Sequence, residues 1–194
     1  MKAYLDITLL PNDDIGHHFL WGKVFQQVHL ALVENKNTDG SSSVGVAFPE
    51  FNAEKHRLGR KLRLFAPNSS DLEKLSIARW LDRLADYVHI TSVRETPQRV
   101  EQYACFSRLR TKYSRERLAR RAMKRHGLTY EQALQERKNF QPQWTDAPFI
   151  QLKSLGNDHS FRLFIGMEEK GSSGEYSTGF NTYGLSKGTA LPKF

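Results

Sequence analysis

Hydrophobic and polar residues alternate or recur in an orderly way over the first half of the chain. From Tyr4 to Leu10, apolar residues occupy every second position, which predicts a half-buried strand that stops at Pro11. From His17 to Asn35, they recur at the spacing of an amphipathic helix. Further strands are predicted over Ser43 to Phe48, Lys61 to Ala66 and Tyr87 to Val93, with a helix that opens at the capping box Ser70 to Glu73. The order is β-α-β-β-α-β, which is the split βαβ or ferredoxin-like arrangement.

The second half predicts a different set of elements. Ser114 and Gly127 are suited to be the N-cap and the C′ residue of a helix over Arg115 to His126. Thr129 and Gln132 form another capping box, which opens a helix to about Asn139. The other segments are a strand over Tyr103 to Leu109, a hairpin of Pro148 to Lys153 with Ser160 to Ile165, and a mobile loop over Glu168 to Gly174.

Length and composition narrow the class of protein. The chain has 194 residues, 39% of them hydrophobic, which is enough to bury a substantial core. No apolar stretch approaches the ~18 residues of a membrane span, and the N-terminus does not resemble a secretory signal. Cys105 is the one cysteine, so an intrachain disulfide and a cysteine zinc cluster are excluded. We therefore expect a cytoplasmic protein with no membrane partner.

The net charge of +8 is concentrated in one short stretch. Between Arg108 and Arg125 there are nine basic residues and one acid, Glu116, so this segment accounts for the whole excess. Within it, a helical wheel gathers Arg117, Arg120, Arg121, Lys124 and Arg125 on one arc and the apolar residues on the other. A solvated basic face is one interpretation. Arginine-rich composition and the lack of acids within this face at i±4 favour phosphate binding instead, with RNA only weakly preferred over DNA.

The sequence contains no spacing typical of a metal site. If the chain is a nuclease, it would have to cleave without a metal ion. RNA permits such cleavage because its own 2′-OH can attack the adjacent phosphate. His29 lies at the edge of the apolar stripe of the first helix, where an imidazole can be held by packing and still reach a cleft. Its position alone favours a structural histidine over a catalytic one.

Motifs spread over nearly the whole chain show a family resemblance. The matching segments are Tyr4-Leu5-Asp6-Ile7, His29-Leu30-Ala31-Leu32, Gly45-Val46-Ala47-Phe48-Pro49, Arg57-Leu58-Gly59, Glu116-Arg117-Leu118 with Arg120-Arg121, Met123-Lys124-Arg125-His126, Phe161-Arg162-Leu163-Phe164-Ile165 and Tyr183-Gly184-Leu185-Ser186-Lys187-Gly188. In these segments the chain resembles the CRISPR-associated endoribonuclease that processes repeat RNA in type I-F (Csy) systems.

The resemblance implies an α+β fold, with a ferredoxin-like (split βαβ) domain over residues 1–95 and a C-terminal α/β domain over 96–194 that bears the arginine-rich helix. It also implies an activity: binding of the CRISPR repeat hairpin and metal-independent cleavage at the 3′ base of the stem by 2′-OH attack, without a cofactor. The mature crRNA would stay bound, and the protein would join the other subunits of the type I-F surveillance complex.

The resemblance also assigns roles to individual residues. His29, Ser154 and Tyr183 fall on the family's catalytic positions, with the serine orienting the ribose. Phe161 matches an aromatic that stacks on RNA near the cut, and Arg108 matches a base-reading arginine. Arg121, Lys124 and Arg125 match the helix face that contacts hairpin phosphates. Arg110 stands where the family has a glutamine, and arginine prefers guanine acceptors, so the base that Arg110 reads stays open.

Three hypotheses follow from the sequence. The first is the hairpin-specific endoribonuclease, with His29 acting as base or as acid. The second is a catalytically weak or inactive hairpin-binding assembly subunit. The third, from another class, is a basic interaction module with an acidic protein partner. The presence of His29, Ser154 and Tyr183 together favours the first.

Overall fold

The structure is a computed structural model that describes residues 1–111, 114–154, 156, 158–171 and 179–194. The chain divides into two compact units. One unit contains Met1–Leu109 and Ala147–Phe194, and the other contains Arg110–Asp146. The described strands form two antiparallel sheets, each built from its own part of the sequence, so the architecture is mixed α+β.

The first sheet has the strand order β2-β3-β1-β4, with β5 beside the start of β1. Its strands are β1 Ala3–Leu9, β2 Gly45–Ala47, β3 Lys61–Ala66, β4 Val88–Ile90 and β5 Arg94–Glu95. The alternation of β1 buries Leu5, Ile7 and Leu9, as predicted, and β3 has the predicted bounds. The strands β2 and β4 are shorter than the patterns that predicted them.

Helix α1, His17–Glu34, confirms the helical spacing of the N-terminal region. It buries Leu20, Val24, Val28 and Leu32 in the core that the two sheets share. The helix also approaches the second sheet closely, since a Cβ on Gly22 would lie 2.6 Å from the carbonyl oxygen of Gln151. The glycine therefore allows α1 to lie directly against that sheet.

The second predicted helix is broken into three short segments. These are α2 Ser69–Leu75, α3 Ile77–Trp80 and a 3₁₀ helix over Asp82–Tyr87. The capping box at Ser70 was wrong: the N-cap is Asn68, whose side chain accepts a hydrogen bond from the Asp71 amide at 3.0 Å. Ser76 has left-handed backbone angles (φ 46°, ψ 46°), which end α2 and start α3.

The second sheet has the order β7-β8-β6-β9. Its strands are β6 Gln102–Leu109, β7 Phe149–Lys153, β8 Ser160–Lys170 and β9 Leu191–Lys193. The hairpin of β7 and β8 agrees with the sequence pattern. Strand β8 runs on to Lys170, paired with Tyr103, so the first part of the predicted loop is strand because β6 supplies hydrogen-bonding partners. Residues 172–174 of that predicted loop lie outside the described residues.

The second unit contains two helices, α4 Arg115–His126 and α5 Tyr130–Gln135. The predicted caps are confirmed: the Ser114 hydroxyl accepts from the Arg117 amide at 3.2 Å, and Gly127 has a φ of 67°. The capping box at Thr129 is formed as well, but α5 ends earlier than predicted. The two helices pack through the buried alanines Ala119, Ala122 and Ala133.

Across the described part of the chain, no helix combines the length and the apolar character that crossing a membrane requires.

Candidate functional site

His29 is half-buried on α1 and has a fixed hydrogen-bond partner. Its Nδ1 lies 2.7 Å from the carbonyl oxygen of Thr182. A carbonyl can only accept, so Nδ1 carries the proton and donates it. In the neutral ring, Nε2 then carries the lone pair. The contact therefore selects the tautomer in which Nε2 is the base.

Tyr183, the residue after this carbonyl, stacks on the same imidazole. The two ring centroids are 4.1 Å apart and the planes are 11° from parallel. Parallel rings at this distance are in van der Waals contact, so one face of the imidazole is covered. His29 is thus held at one edge by a backbone carbonyl and on one face by an aromatic ring.

This environment lowers the pKa of His29 below its ordinary value. Burial is the main cause, because it disfavours the charged imidazolium, and the hydrogen bond to Thr182 opposes the shift. The neutral imidazole therefore predominates at neutral pH. A neutral imidazole with a free Nε2 is the form that can accept a proton.

The segment carrying Thr182 and Tyr183 is fixed against β2. Gly184 has a φ of 71°, and a Cβ there would lie 2.3 Å from Cγ2 of Val46. The Val46 amide donates to the Gly184 carbonyl at 2.7 Å. A side chain at position 184 would thus force the segment away from β2 and from His29.

Arg108 extends the row of planar side chains. It lies on the face of β6 that points to the core, opposite the buried Ile165. Its guanidinium carbon is 5.9 Å from the ring centre of Tyr183 and 5.5 Å from that of Phe161, within cation–π range of both. We call His29, Tyr183, Arg108 and Phe161 the stacked row. Four separate segments of the chain contribute to it.

Ser154 follows β7, and its amide donates to the His159 carbonyl at 2.9 Å. Helix α1 and β7 run side by side, because His18 stacks on Phe149 (5.8 Å between ring centroids) and Gly22 touches Gln151. A helix rises ~1.5 Å per residue and a strand ~3.3 Å. Seven residues of helix from Gly22 to His29 therefore span about the same length as three residues of strand from Gln151, and the same register continued past β7 would bring Ser154 near the level of His29.

The basic face of α4 is present as predicted. Arg117, Arg120, Arg121, Lys124 and Arg125 are all exposed, and the opposite side of the helix is buried against α5. Among the residues that the structure describes, none of these five side chains has an ion-pair partner. Arg110 is exposed and belongs to this second unit, whereas Arg108 belongs to the first.

The described residues contain no group of three or more His, Cys, Asp or Glu side chains that could hold a metal ion. The stacked row consists of a histidine, a tyrosine, an arginine and a phenylalanine. These side chains offer one proton acceptor, one fixed cation and aromatic faces. Such a set is suited to proton transfer beside a bound base or phosphate.

The sequence did not reveal what holds His29. Thr182 contributes only its backbone carbonyl, and it is separated from His29 by 153 positions. A backbone group has no signature in the sequence. Asn181 and the glycine after Tyr183 were the local signals of a tight turn at that point.

Comparison with known proteins gives consistent matches. The family described as CRISPR-associated protein (Cas_Csy4) matches residues 4–194. Two relatives carry the name CRISPR-associated endonuclease Cas6/Csy4. The one from Pseudomonas aeruginosa (strain UCBPP-PA14) is 35% identical over 194 residues, and the one from Escherichia coli (strain UTI89 / UPEC) is 32% identical over 197 residues. Both matches cover 100% of each chain. A solved RAMP protein, described as binding different RNA substrates, matches over both full chains with 10% identity and a TM-score of 0.36, a likeness on which no argument rests.

Proposed function

Because the chain belongs to the CRISPR-associated Csy4 family, we propose that it is an endoribonuclease that binds the hairpin of a CRISPR repeat RNA and cuts at the 3′ base of the stem. Two full-length relatives named as endonucleases support the activity. The observation that carries the proposal is the fixed His29 ring, with Nδ1 donating to Thr182 and Tyr183 stacked on its face.

The proposed reaction uses the 2′-OH of the RNA as nucleophile and needs no metal. His29 Nε2 accepts the proton of this hydroxyl, and the oxygen forms a bond to the adjacent phosphorus. The bond from phosphorus to the 5′-oxygen of the next nucleotide breaks, and that oxygen takes up a proton. The products are a 2′,3′-cyclic phosphate and a 5′-hydroxyl. The lowered pKa of His29 supports the role of base, because the neutral ring is the reactive form.

The neighbours of His29 would position the RNA. Ser154, which the register of α1 against β7 would bring near the level of His29, is proposed to orient the ribose that carries the nucleophile. Tyr183 is proposed to hold the imidazole. Arg108 and Phe161 lie beyond Tyr183 in the stacked row, where they would read and stack on a base close to the cut.

The face of α4 is proposed to grip the phosphates of the stem. Its five exposed cations include four arginines, which form bidentate contacts with phosphate oxygens. Arg110, just before the helix, would contact an acceptor edge such as that of guanine. A-form stems hide base edges in a narrow major groove, so recognition would depend mainly on hairpin shape and terminal pairs.

We also propose the wider setting that the family implies. The product crRNA stays bound, and the protein acts in the cytoplasm as a subunit of the type I-F surveillance complex. Residues 1–95 would form the ferredoxin-like domain and residues 96–194 the C-terminal domain. In support, the first sheet uses strands between residues 3 and 95, in the order β2-β3-β1-β4, and the second uses strands between 102 and 193.

One assay tests the activity. Labelled repeat RNA is incubated with the protein in EDTA, beside a copy with a 2′-deoxy sugar at the cut. We expect equal binding of both RNAs and cleavage of the first alone, with His29→Ala binding normally and not cutting. Binding without cleavage would identify an assembly subunit in place of an enzyme. Cleavage by His29→Ala at the unchanged rate would remove His29 from the mechanism.

A further inference from the structure

A charged groove lies on the first unit, on the side of α1 that is turned away from His29. It is an open cavity of about 720 Å³ between α1 and the broken helical segments α2 and α3. On the helical wheel, its α1 residues Lys23, Gln27 and Glu34 lie within one narrow arc, roughly 140° from His29. The groove is therefore separate from the stacked row, and no part of the proposed reaction uses it.

Four cations line this groove: Lys23, Lys74, Arg79 and Arg83. Within the described ranges, none of them forms an ion pair, although Glu34 and Asp82 line the same cavity. Like charges gathered in one concave site repel each other and focus a positive potential. With four cations against two acids, the residues that line the groove carry a net charge of +2.

Three apolar residues also line the groove, and one of its lining residues is strained. Leu75 is buried, whereas Trp80 and Leu84 are half-buried and leave part of their surface open to the cavity. Ser76, which also lines the cavity, has left-handed backbone angles that a serine rarely adopts. Strained positions of this kind concentrate at binding surfaces. The break at Ser76 ends α2 beside the groove.

From these observations we propose that the groove docks an acidic segment of a partner protein, with an apolar side chain of that segment against Trp80 and Leu84. A polypeptide fits better than RNA for two reasons. Glu34 and Asp82 would repel a continuous phosphate chain, whereas a peptide can turn uncharged groups toward them. The half-buried side chains of Trp80 and Leu84 suit an aliphatic or aromatic side chain, and the volume is within the range of ligand pockets.

The test measures binding of a fluorescein-labelled octapeptide, Glu-Asp-Leu-Glu-Asp-Trp-Glu-Asp, by anisotropy. A peptide with every acid replaced by lysine is the ligand control. The double variant Arg79→Glu/Arg83→Glu should weaken binding about tenfold or more, because like charges would then face each other. The matched variant Lys55→Glu/Arg99→Glu, with the same charge change at exposed positions outside the groove, should bind as the unchanged protein does.

The outcomes separate this proposal from its rivals. Equal losses in the two double variants would mean that only overall charge matters, and would overturn it. A uridine octanucleotide that displaces the peptide, and that the Arg79→Glu/Arg83→Glu variant no longer binds, would identify an RNA site and also overturn it. Both double variants should cleave repeat RNA at the unchanged rate, so the result does not depend on the proposed reaction.

A second and independent observation concerns Asn181, which builds the turn that holds His29. Its Oδ1 accepts hydrogen bonds from the amides of Tyr183 at 2.8 Å and Leu185 at 3.3 Å. Its backbone closes the same turn, since the Gly184 amide donates to the Asn181 carbonyl at 2.8 Å. An asparagine that bonds the amide two residues ahead fixes a compact turn. That turn presents both the Thr182 carbonyl and the Tyr183 ring to His29.

We infer that Asn181 is a positioning residue for His29, an inference that rests on the proposed function. Asn181→Ala removes the acceptor and loosens the turn, whereas Asn181→Asp keeps an oxygen in the same place. We expect Asn181→Ala to lower the single-turnover cleavage rate at saturating protein about ten- to a hundredfold, as small misplacements do, and to leave the Kd for the repeat RNA unchanged. Asn181→Asp should restore most of the rate.

Nitrogen NMR of the free protein separates this inference from the activity. In the unchanged chain and in Asn181→Asp, His29 should be the tautomer protonated at Nδ1; in Asn181→Ala the two tautomers should mix. An unaltered tautomer in Asn181→Ala would overturn the inference even if cleavage fell. If the unchanged chain shows the fixed tautomer but cleaves no RNA, the proposed function fails and the positioning of the ring stands.

Discussion

The surroundings of His29 lower its pKa, so the neutral imidazole is favoured. The ring is half-buried, Tyr183 covers one face, and Thr182 holds Nδ1. Burial lowers the pKa more than the carbonyl raises it. A base with a lowered pKa is active over the whole neutral range and loses activity only when acid protonates it. The single-turnover cleavage rate should therefore rise with pH through the His29 pKa, below its ordinary value of about 6.5, and then level off.

Substitution of Tyr183 should shift the inflection of the rate–pH curve, which lies at the His29 pKa, in the direction in which that pKa moves. Tyr183→Ala uncovers the imidazole, so the cost of burying its charge falls and its pKa rises toward the ordinary value. The acid limb of the rate profile then shifts to higher pH. Tyr183→Phe keeps a ring at the stacking distance and should leave the inflection in place. An equal shift in both variants would assign the effect to the phenol hydroxyl instead of the stack.

Arg63 forms a buried ion pair within the first sheet. It is buried on β3 opposite Asp6 of β1, and its Nε and Nη2 bond the two carboxylate oxygens at 2.6 and 2.9 Å. Its Nη1 donates to the Phe194 carbonyl at 2.9 Å. Arg63→Ala leaves a buried carboxylate without these bonds, so we expect a loss of about 3–5 kcal/mol in the free energy of unfolding.

The free energy of unfolding is measured by urea denaturation, and Lys153→Ala provides the matched control. Lys153 pairs with Asp158 at 2.6 Å, but the two side chains are 61% and 84% exposed. Pairs so open to water contribute little, so Lys153→Ala should change stability by less than about 1 kcal/mol. Similar losses in the two variants would show that burial does not determine the strength of the Arg63 pair.

At the scale of elements, features that depend on nearby residues were predicted well, and features that depend on distant residues were not. Helix α4 has the predicted bounds because its caps, Ser114 and Gly127, act within one turn of each end. The break at Ser76 was missed because no glycine or proline announces it and the apolar spacing continues through it. The extension of β8 to Lys170 was missed because it depends on pairing with β6, more than sixty residues earlier in the chain.

The basic face of α4 should determine how binding depends on salt. Each arginine that neutralises a phosphate releases condensed counterions, so removal of one should lower the slope of log affinity against log salt by about 0.7–0.9. We expect Arg121→Ala to weaken hairpin binding and to flatten this slope. Lys138→Ala, an exposed cation of the same unit outside α4, should change neither quantity. An unchanged slope in Arg121→Ala would remove this face from the interface.

At the scale of the molecule, the stacked row is assembled from segments that are distant in sequence. His29 comes from α1, Arg108 from β6, Phe161 from β8 and Tyr183 from the turn before β9. Sequence position alone favoured a structural role for His29, and the family resemblance was needed to single it out. The contacts that fix its tautomer arise only when both sheets pack on α1, so no pattern of spacing could have predicted them.

The strand register also shows how the second unit joins the first. The first part of the first unit ends at Leu109, which pairs with Phe164 of β8. The second part begins at Ala147, and its residue Phe149 pairs with the same Phe164. Two strand spacings of ~4.8 Å put these ends ~10 Å apart, a gap that a short Gly/Ser linker can span. Replacement of Arg110–Asp146 by such a linker should leave the first unit folded.

This replacement separates the proposed grip on RNA from the proposed chemistry. The shortened protein keeps every residue of the stacked row, so His29 should retain its Nδ1-protonated tautomer in nitrogen NMR. It loses the five cations of α4, so its affinity for the repeat hairpin should fall by a hundredfold or more at about 0.15 M salt. The full chain with Arg121→Ala alone provides the intermediate case. Hairpin affinity equal to that of the full chain would show that the first unit holds the RNA, and α4 would then need another role.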